Sequence, residues 1–279
     1  MPQMLAQQTH RASLTLGAPL PRHQLKAMKR HIILLTALLC VALTTAAHGF
    51  TDETLNYKVM FKWGIVHKQA GRATLKLTSA PDHFKATLYA RSEPWADHFY
   101  TLRDTLISIM DRTDMLPRHY ERIAHEDGRF DHDIIRIQRS GDTFTATSHR
   151  IRRKKKGTVS HSDITLKAQG PTVDLVSVFY YLRMLDFKNL KSGYSKTINI
   201  FSGKRKELLT IKYLGTEELK LDGRTYPTYR ISFTFTDEKS AKTSDDIDTW
   251  IWTATGHIPL KLEGKLKVGR IRCLYTGNN

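Results

Sequence analysis

The chain has 279 residues, of which 40% are hydrophobic and 9% aromatic, so it can bury a core and is not a disordered protein. Its 44 Lys and Arg residues outnumber 27 Asp and Glu residues, which gives a formal net charge of +17. A balance this basic is typical of proteins that contact nucleic acid, an anionic membrane or an acidic polysaccharide.

The N-terminal segment predicts export. Residues 28–49 begin with Lys29 and Arg30, continue with an uncharged apolar run at residues 32–43, and end in small residues, which is the layout of a secretory signal peptide. The run is shorter than the ~20 residues that a transmembrane helix needs, so we expect no transmembrane span in the mature chain. Residues 1–27 contain no acidic residue, and we interpret them as a leader, either a start-site artefact or disordered.

Export affects which classes of partner the protein can meet. Removal of residues 1–49 takes away five basic residues and no acidic one, so 39 Lys and Arg against 27 Asp and Glu leave a net charge of +12. An exported protein of the periplasm or cell envelope does not meet nucleic acid. We therefore expect no nucleic-acid partner, and consider a lipid, a glycan or an envelope protein instead.

The mature region is dominated by segments in which apolar and polar residues alternate, which predicts antiparallel strands. Turn sequences separate these segments at Pro81-Asp82, Asp127-Gly128, Ser140-Gly141-Asp142 and Asp222-Gly223. No linker rich in Pro, Gly or Ser divides them. We predict a mainly β fold in one domain over residues 50–279, either a single strongly curved antiparallel sheet or a partly open β-barrel.

One segment breaks the alternating pattern. Residues 171–187 carry apolar side chains at helical spacing, with Thr172 or Asp174 as a candidate cap. The apolar positions are Leu175, Val178 or Phe179, Leu182 and Leu185. A single amphipathic helix must bury its apolar stripe, so we predict one α-helix packed on the concave face of the sheet.

Several segments resemble a known family. They include LNYKVMFKWGIVHKQAGRATLKL from Leu55, DMLPRHY around Pro117, DLVSVFYYLRMLDF from Asp174, ELLTIKYLGTEELKLDGRTYPTYRI from Glu207 and IWTATGHIPLKLEGKLKVGRI from Ile251. In this order they resemble the domain of unknown function 3108 family of exported bacterial proteins. The resemblance implies a secreted or periplasmic β-rich domain, and it brings no established catalytic residues.

A basic run lies between two predicted strands and is a candidate for contact with an anionic surface. Its residues are Arg150, Arg152, Arg153, Lys154, Lys155 and Lys156. The surface would be lipid head groups, an acidic glycan or an acidic partner. The alternative is a solvated hairpin end whose like charges face water and protect a sheet edge from aggregation.

The predicted helix and a C-terminal strand supply candidate ligand-binding residues. Tyr180, Tyr181 and Arg183 alternate with the apolar residues of the helix and would form a polar lip on a cavity between helix and sheet. The alternative is core aromatic packing with a snorkelling arginine. Trp250 and Trp252 share one strand face, so they either line the interior or form an outer patch for a partner.

Metal and nucleophile chemistry are not favoured. Two histidines and four carboxylates cluster in HEDGRFDHD, residues 125–133, but their spacing matches neither a zinc site nor a calcium loop. Cys273 is the single thiol left after signal removal and lies in a strand pattern, which favours a buried structural cysteine. Standard nucleophile, phosphate and dinucleotide motifs are absent, so we expect no metal, cofactor or recognisable catalytic residue.

The function that fits these features is non-enzymatic binding in the envelope, of a hydrophobic or glycan ligand or of a partner protein. One alternative is a hydrolase that acts on envelope polymers through clustered carboxylates; it predicts two facing carboxylates, one with a raised pKa. Another is a structural or assembly role. Whether the protein is an enzyme stays open at this point.

Overall fold

The described residues of the computed structural model are 49–238, 241–244, 246–254, 256–265 and 269–278. The predicted leader and signal peptide lie outside them, apart from Gly49. The strands are β1 (Glu53–Trp63), β2 (Val66–Ser79), β3 (His83–Ser92), β4 (Leu102–Asp111), β5 (Pro117–Glu126), β6 (Arg129–Ser140), β7 (Thr143–Arg153), β8 (Val159–Gln169), β9 (Thr172–Val173), β10 (Ser195–Phe201), β11 (Lys206–Leu221), β12 (Arg224–Asp237), β13 (Ile247–Trp252), β14 (Pro259–Lys265) and β15 (Arg270–Asn278). The helices are α1 (Pro94–Asp97) and α2 (Ser177–Arg183).

All fifteen strands belong to one sheet, in the order β8-β7-β6-β5-β4-β3-β2-β1-β15-β14-β13-β12-β11-β10-β9. Neighbouring strands are antiparallel except β9 and β10, which are parallel. Strand β8 also contacts β10 and β11, so the two edges of the sheet approach one another. The result is the predicted mainly β architecture, a nearly closed barrel-shaped sheet.

The hairpin turns follow from local chemistry. Asp127 and Gly128 have φ angles of 46° and 75°, and Asp222 and Gly223 have φ angles of 48° and 78°. Two consecutive residues with positive φ are characteristic of the type I′ turn, whose twist matches that of the flanking strands. Both predicted Asp-Gly hairpins are therefore confirmed.

Helix α2 is shorter than the sequence predicts. Helical spacing covers residues 171–187, whereas α2 comprises Ser177–Arg183. The two residues of β9 instead pair with β10. Asp174 Oδ1 then accepts the backbone N–H groups of Val176 and Ser177 at 2.7 Å each, so the chain turns into the helix only after this carboxylate.

Helix α1 is absent from the sequence prediction because four residues are too few to show helical periodicity. Pro94 occupies its first turn, a position where the missing N–H costs no hydrogen bond. The helix lies in the β3–β4 connection, so it belongs to the same end of the barrel as the other connections that follow odd-numbered strands from β1 to β7.

Helix α2 lies on the concave face at the other end of the barrel. Phe179 packs edge-to-face on Tyr57 of β1, and Phe187, just after the helix, stacks on Tyr229 of β12 at 4.5 Å. Arg183 contacts Glu53, the first residue of β1. We call this end of the barrel the helix end and the opposite end the rim end.

Gly269, directly before β15, allows the chain to pass close to β1. This residue has a φ of 79°, and a Cβ atom there would lie 2.3 Å from the carbonyl oxygen of Lys62. In β15, Cys273 and Tyr275 lie opposite Val59 and Tyr57 of β1, so they share the inward face. The alternating residues 266–268 lie outside the described residues.

Candidate functional site

Arg183, predicted at a polar lip, is buried in an ion pair at the helix end. Its side chain is 1% exposed. Its guanidinium donates to both carboxylate oxygens of Glu53, and its Nε donates to the carbonyl oxygen of Gly256 at 2.7 Å. The ring of His257 bonds the carbonyl oxygen of Arg183 through Nδ1. These contacts tie α2 to the beginning of β1 and to the β13–β14 connection.

The two helix tyrosines are also buried. Tyr180 is 0% exposed and packs edge-to-face against Phe50 and Phe179, with ring centroids 5.5 and 5.4 Å away. Burial raises the pKa of Tyr180 above its usual value, and its hydroxyl has no hydrogen-bond partner among the described residues. Tyr181 is 9% exposed, with Lys196 Nζ 5.5 Å from its ring centre. Both residues therefore pack in the core.

The tryptophans lie on the outer face of the sheet. Trp250 pairs with Arg230 and Trp252 pairs with Thr228, whereas Ile251 between them pairs with Tyr229 on the face that meets α2. Residues directly opposite in a ladder share a face, and successive residues alternate. Trp250 and Trp252 therefore lie on the face of the sheet opposite to α2.

These outer tryptophans are covered rather than free. Trp250 is 6% exposed, and the cations of Lys261 and Arg230 lie 3.8 and 5.1 Å from its ring centre. Trp252 meets Tyr226 edge-to-face at 5.5 Å. Cation–π contacts of this kind hold long side chains against the ring and remove it from water. The ring of Trp250 is therefore covered by these two cations and is not open for a ligand to stack on.

A polar groove of about 330 Å³ lies next to this wall on β10–β13. Its lining residues are Ser195, Thr210, Lys212, Leu214, Arg230, Ser232, Phe233, Thr234, Asp246 and Asp248. Most of them carry a hydroxyl, a carboxylate or a cation, and two are apolar. The groove is assembled from four consecutive strands and exists only once they are in register, which is why sequence analysis did not find it.

The charges of the groove are organised around Arg230. Its Nη2 lies 2.9 Å from Asp248 and its Nη1 lies 3.0 Å from Glu217. The hydrogen bond to Asp248 raises the pKa of Arg230 above its usual value. Arg230 Nε and Ser232 Oγ are nevertheless buried with no hydrogen-bond partner in the described part of the chain, so the groove retains hydrogen-bonding capacity that the protein does not use.

The basic run divides into two parts. Arg150 and Arg152 both bind Asp133 Oδ1, at 2.8 and 2.5 Å, and Asp133 is 2% exposed. Gly203, with a φ of 104°, packs so close that a Cβ atom would lie 3.0 Å from Asp133 Oδ2. The two arginines are therefore part of an internal ion cluster.

The remaining basic residues lie at the rim end. Lys154, Lys155 and Lys156 are exposed in the β7–β8 turn, where Lys155 Nζ is 3.4 Å from Asp127. Arg153 lies over the ring of Phe130, 5.5 Å from its centre. These four side chains are the part of the predicted anionic-surface set that faces outward at a turn.

A pair of carboxyl groups in neighbouring strands was also missed by sequence analysis. Burial, followed by the charge of Glu126, raises the pKa of Asp104 to about 7. Burial also opposes ionisation of Glu126, but the Tyr100 hydroxyl at 2.7 Å and the charge of Arg122 hold its pKa below the usual range. Of the two groups, Asp104 therefore takes up a proton near neutral pH, whereas Glu126 stays ionised. The register Asp104↔Ala124 and Leu102↔Glu126 places them diagonally across β4 and β5, and only knowledge of that pairing would have revealed them.

Other reactive groups show no catalytic arrangement. Cys273 is partly buried against the core, and burial raises the pKa of its thiol to about 11, so the thiol is protonated at neutral pH. Among the described residues, no three His, Cys, Asp or Glu side chains are grouped to bind a metal ion. In the same residues, no helix is long and apolar enough to cross a membrane.

Comparisons with known proteins agree with the fold. The model of a family described as a protein of unknown function, DUF3108, matches residues 56–274. No curated protein matches the chain. A β-barrel-like protein of domain of unknown function DUF1849 from Brucella abortus matches with a TM-score of 0.54 and 10% identity, covering 82% of this chain and 97% of that chain. This match shows a common fold.

Two further solved structures match less closely. The hypothetical lipoprotein YmcC from Escherichia coli has a TM-score of 0.31 and 9% identity, covering 81% of this chain and 86% of that chain. The lipoprotein LppX from Mycobacterium tuberculosis has a TM-score of 0.23 and 14% identity, covering 88% of this chain and 95% of that chain.

Proposed function

We propose that this chain, which belongs to the DUF3108 family, is a non-enzymatic binding protein of the cell envelope that holds a glycan ligand in the polar groove on β10–β13. The observation that carries the proposal is the pair of buried, unpartnered polar atoms in the groove wall, Arg230 Nε and Ser232 Oγ. The envelope location rests on the signal-peptide pattern of residues 28–49.

The composition of the groove favours a glycan over a hydrophobic ligand. Its volume is at the small end of the range for ligand pockets, about 300–1,000 Å³. Hydroxyls, two carboxylates and two cations can each donate to or accept from sugar hydroxyls, whereas Leu214 and Phe233 are the two apolar lining residues. Mixed charge favours a neutral or zwitterionic sugar over a polyanion.

The unpartnered atoms supply the driving force for binding. A buried polar group without a partner costs free energy, about 1–3 kcal/mol by mutational series. A ligand oxygen that accepts from Arg230 Nε and donates to or accepts from Ser232 Oγ would remove that cost. Trp250 does not take part in stacking because Lys261 and Arg230 cover its ring.

A glycan-binding screen with the purified protein tests the proposal. We expect binding of a small set of neutral or zwitterionic glycans, and we expect Ser232→Ala and Asp248→Asn to weaken it about tenfold or more. Ser148→Ala is the matched control, because Ser148 is another buried serine without a partner, in β7 and outside the groove. Loss of binding in the control, or no glycan binding by the wild type, would contradict the proposal.

Hydrolysis of an envelope polymer is the second candidate function, and the pair Asp104 and Glu126 favours it. Two carboxyls whose pKa values are pushed apart can act as general acid and general base. Zymography on envelope polymers tests it: Asp104→Asn should remove activity, and Asp163→Asn, an exposed carboxylate paired with His149, should retain it. Absence of activity in the wild type would exclude this function for the polymers tested.

A further inference from the structure

The rim end of the barrel carries a concentration of exposed apolar side chains. Ile65 is 102% exposed, Phe99 81%, Val159 51% and Tyr100 42%. They belong to the β1–β2 turn, the β3–β4 connection and the β7–β8 hairpin, all at the rim end. Single exposed apolar residues are ordinary, but several gathered at one end of a molecule mark an interaction surface.

Direct contacts join these connections into one continuous surface. Trp95 Nε1 donates to the carbonyl oxygen of Gln69 at 2.7 Å, next to the β1–β2 turn. The N–H of Asp127 donates to the carbonyl oxygen of Thr101 at 2.9 Å. The same Asp127 pairs with Lys155. We call residues 64–65, 93–101, 127–128 and 154–159 the rim.

The rim carries a net positive charge once the two arginines that pair with it from neighbouring strands, Arg72 and Arg103, are counted. Its acidic residues Glu93, Asp97 and Asp127 are each paired, with Arg72, Arg103 and Lys155 respectively. Two lysines of the β7–β8 turn take part in no ion pair within the described part of the chain. They are Lys154 and Lys156, which leave uncompensated charge beside the exposed apolar residues.

We propose that the rim docks on an anionic phospholipid surface, with Ile65 and Phe99 inserted among the head groups and Lys154, Lys155 and Lys156 against the phosphates. Two observations favour lipid over a protein partner. The apolar side chains belong to separate turns at one end of the barrel, and basic side chains of the β7–β8 turn accompany them, as in proteins that bind the membrane interface. Trp95 and Tyr100 supply aromatic side chains of the kind enriched at that interface.

This docking is independent of glycan binding, because the rim shares no residue with the groove on β10–β13. With both activities, the protein would be held at a membrane by the rim and would bind a glycan in the groove on β10–β13. Either can fail without affecting the other.

Co-sedimentation with lipid vesicles tests the rim. The full chain is mixed with vesicles of phosphatidylcholine alone or with about one third phosphatidylglycerol, at low and at high salt. We expect attachment to the anionic vesicles that weakens with salt. Ile65→Ser with Phe99→Ser should lower the apparent affinity at least tenfold. Replacement of Lys154, Lys155 and Lys156 by Gln should lower it about fivefold per charge.

The helix end supplies matched controls. Tyr194→Ser removes an exposed aromatic side chain there, and Lys188→Gln with Lys191→Gln removes two exposed charges. All variants are made in the full chain, so residues 1–48 are identical in every sample, and these controls should attach like the wild type. Equal loss in the controls would show attraction by net charge alone and overturn the proposal.

The fluorescence of Trp95 gives a second readout, separate from co-sedimentation. Brominated lipid in the anionic vesicles should quench its emission, and Trp95→Phe should lower that quenching. No attachment of the wild type to anionic vesicles, or attachment that Ile65→Ser with Phe99→Ser leaves unchanged, contradicts the proposal. In the latter case an acidic glycan or protein would be the anionic partner.

Discussion

The inner face of the sheet under α2 and the outer face of β12 use buried polar groups in different ways. Under α2, Arg183 is bound by Glu53 and by a backbone carbonyl, and Asp174 accepts from Ser108 and from two backbone N–H groups. On the outer face, Arg230 Nε and Ser232 Oγ have no partner among the described residues. Three hydroxyls on the inner face, those of Tyr120, Ser148 and Tyr180, are exceptions. Paired groups hold the fold together, whereas the unpartnered groups lie in the wall of a groove and are the candidates for contact with a ligand.

The largest expected effect on stability is the difference between removing a buried arginine and removing an exposed one. Arg183→Ala leaves Glu53 without its partner at the helix end, so we expect the free energy of unfolding to fall by about 3–5 kcal/mol. Arg91→Ala removes an exposed arginine of β3 and should change it by less than about 0.5 kcal/mol. Urea denaturation of both variants gives the comparison. Similar midpoints would show that the ion pair under α2 is not a structural tie.

A smaller effect depends on pH. Burial raises the pKa of Asp174 to about 6, against the hydrogen bonds from Ser108 and the backbone. The native state therefore binds this proton more tightly than the unfolded state, whose carboxyl has a pKa near 3.8. The resulting stabilisation is complete below about pH 4 and is lost as the pH rises through about 6.

The matched variant is Asp174→Asn, which keeps an acceptor for the N–H groups of Val176 and Ser177 but does not titrate. The difference in unfolding free energy between wild type and variant should shift by roughly 2–3 kcal/mol between pH 4 and pH 7, in favour of the variant at the higher pH. Denaturation at a series of pH values measures it. A constant difference across this range would mean that Asp174 is ionised throughout.

The smallest effect compares two serines. Ser108 Oγ donates to Asp174 Oδ2 at 2.6 Å, so Ser108→Ala should cost about 1–3 kcal/mol of stability. Ser232 has no partner to lose, so Ser232→Ala should change stability by less than about 0.5 kcal/mol, or increase it slightly. Thermal unfolding of the pair measures the difference. A large loss in Ser232→Ala would identify it as a structural residue and weaken its assignment to a ligand.

Local sequence chemistry was sufficient for much of the fold. Asp127-Gly128 and Asp222-Gly223 predict their turns because a type I′ turn needs positive φ at both positions, which these residues tolerate. Alternation predicts the strands because side chains of a strand point to opposite faces.

The remaining features of the fold and of the candidate sites depend on which strands pair, and the sequence pattern does not show this pairing. Helix α2 is shorter than its periodicity because β9 pairs with β10, some thirty residues further along the chain. The face of Trp250 follows from its pairing with Arg230, which alternation alone does not give. The groove on β10–β13 and the pair Asp104 and Glu126 exist only once neighbouring strands are in register.

The central claim is that the ligand site lies on the outer face of β10–β13, opposite α2. A crystal structure of the protein with the best glycan from the screen tests it most directly. We expect the sugar in the groove, with one oxygen within hydrogen-bond distance of Arg230 Nε or Ser232 Oγ and with Arg183 still bound to Glu53. A sugar lying between α2 and the sheet, with that ion pair broken, would contradict the account.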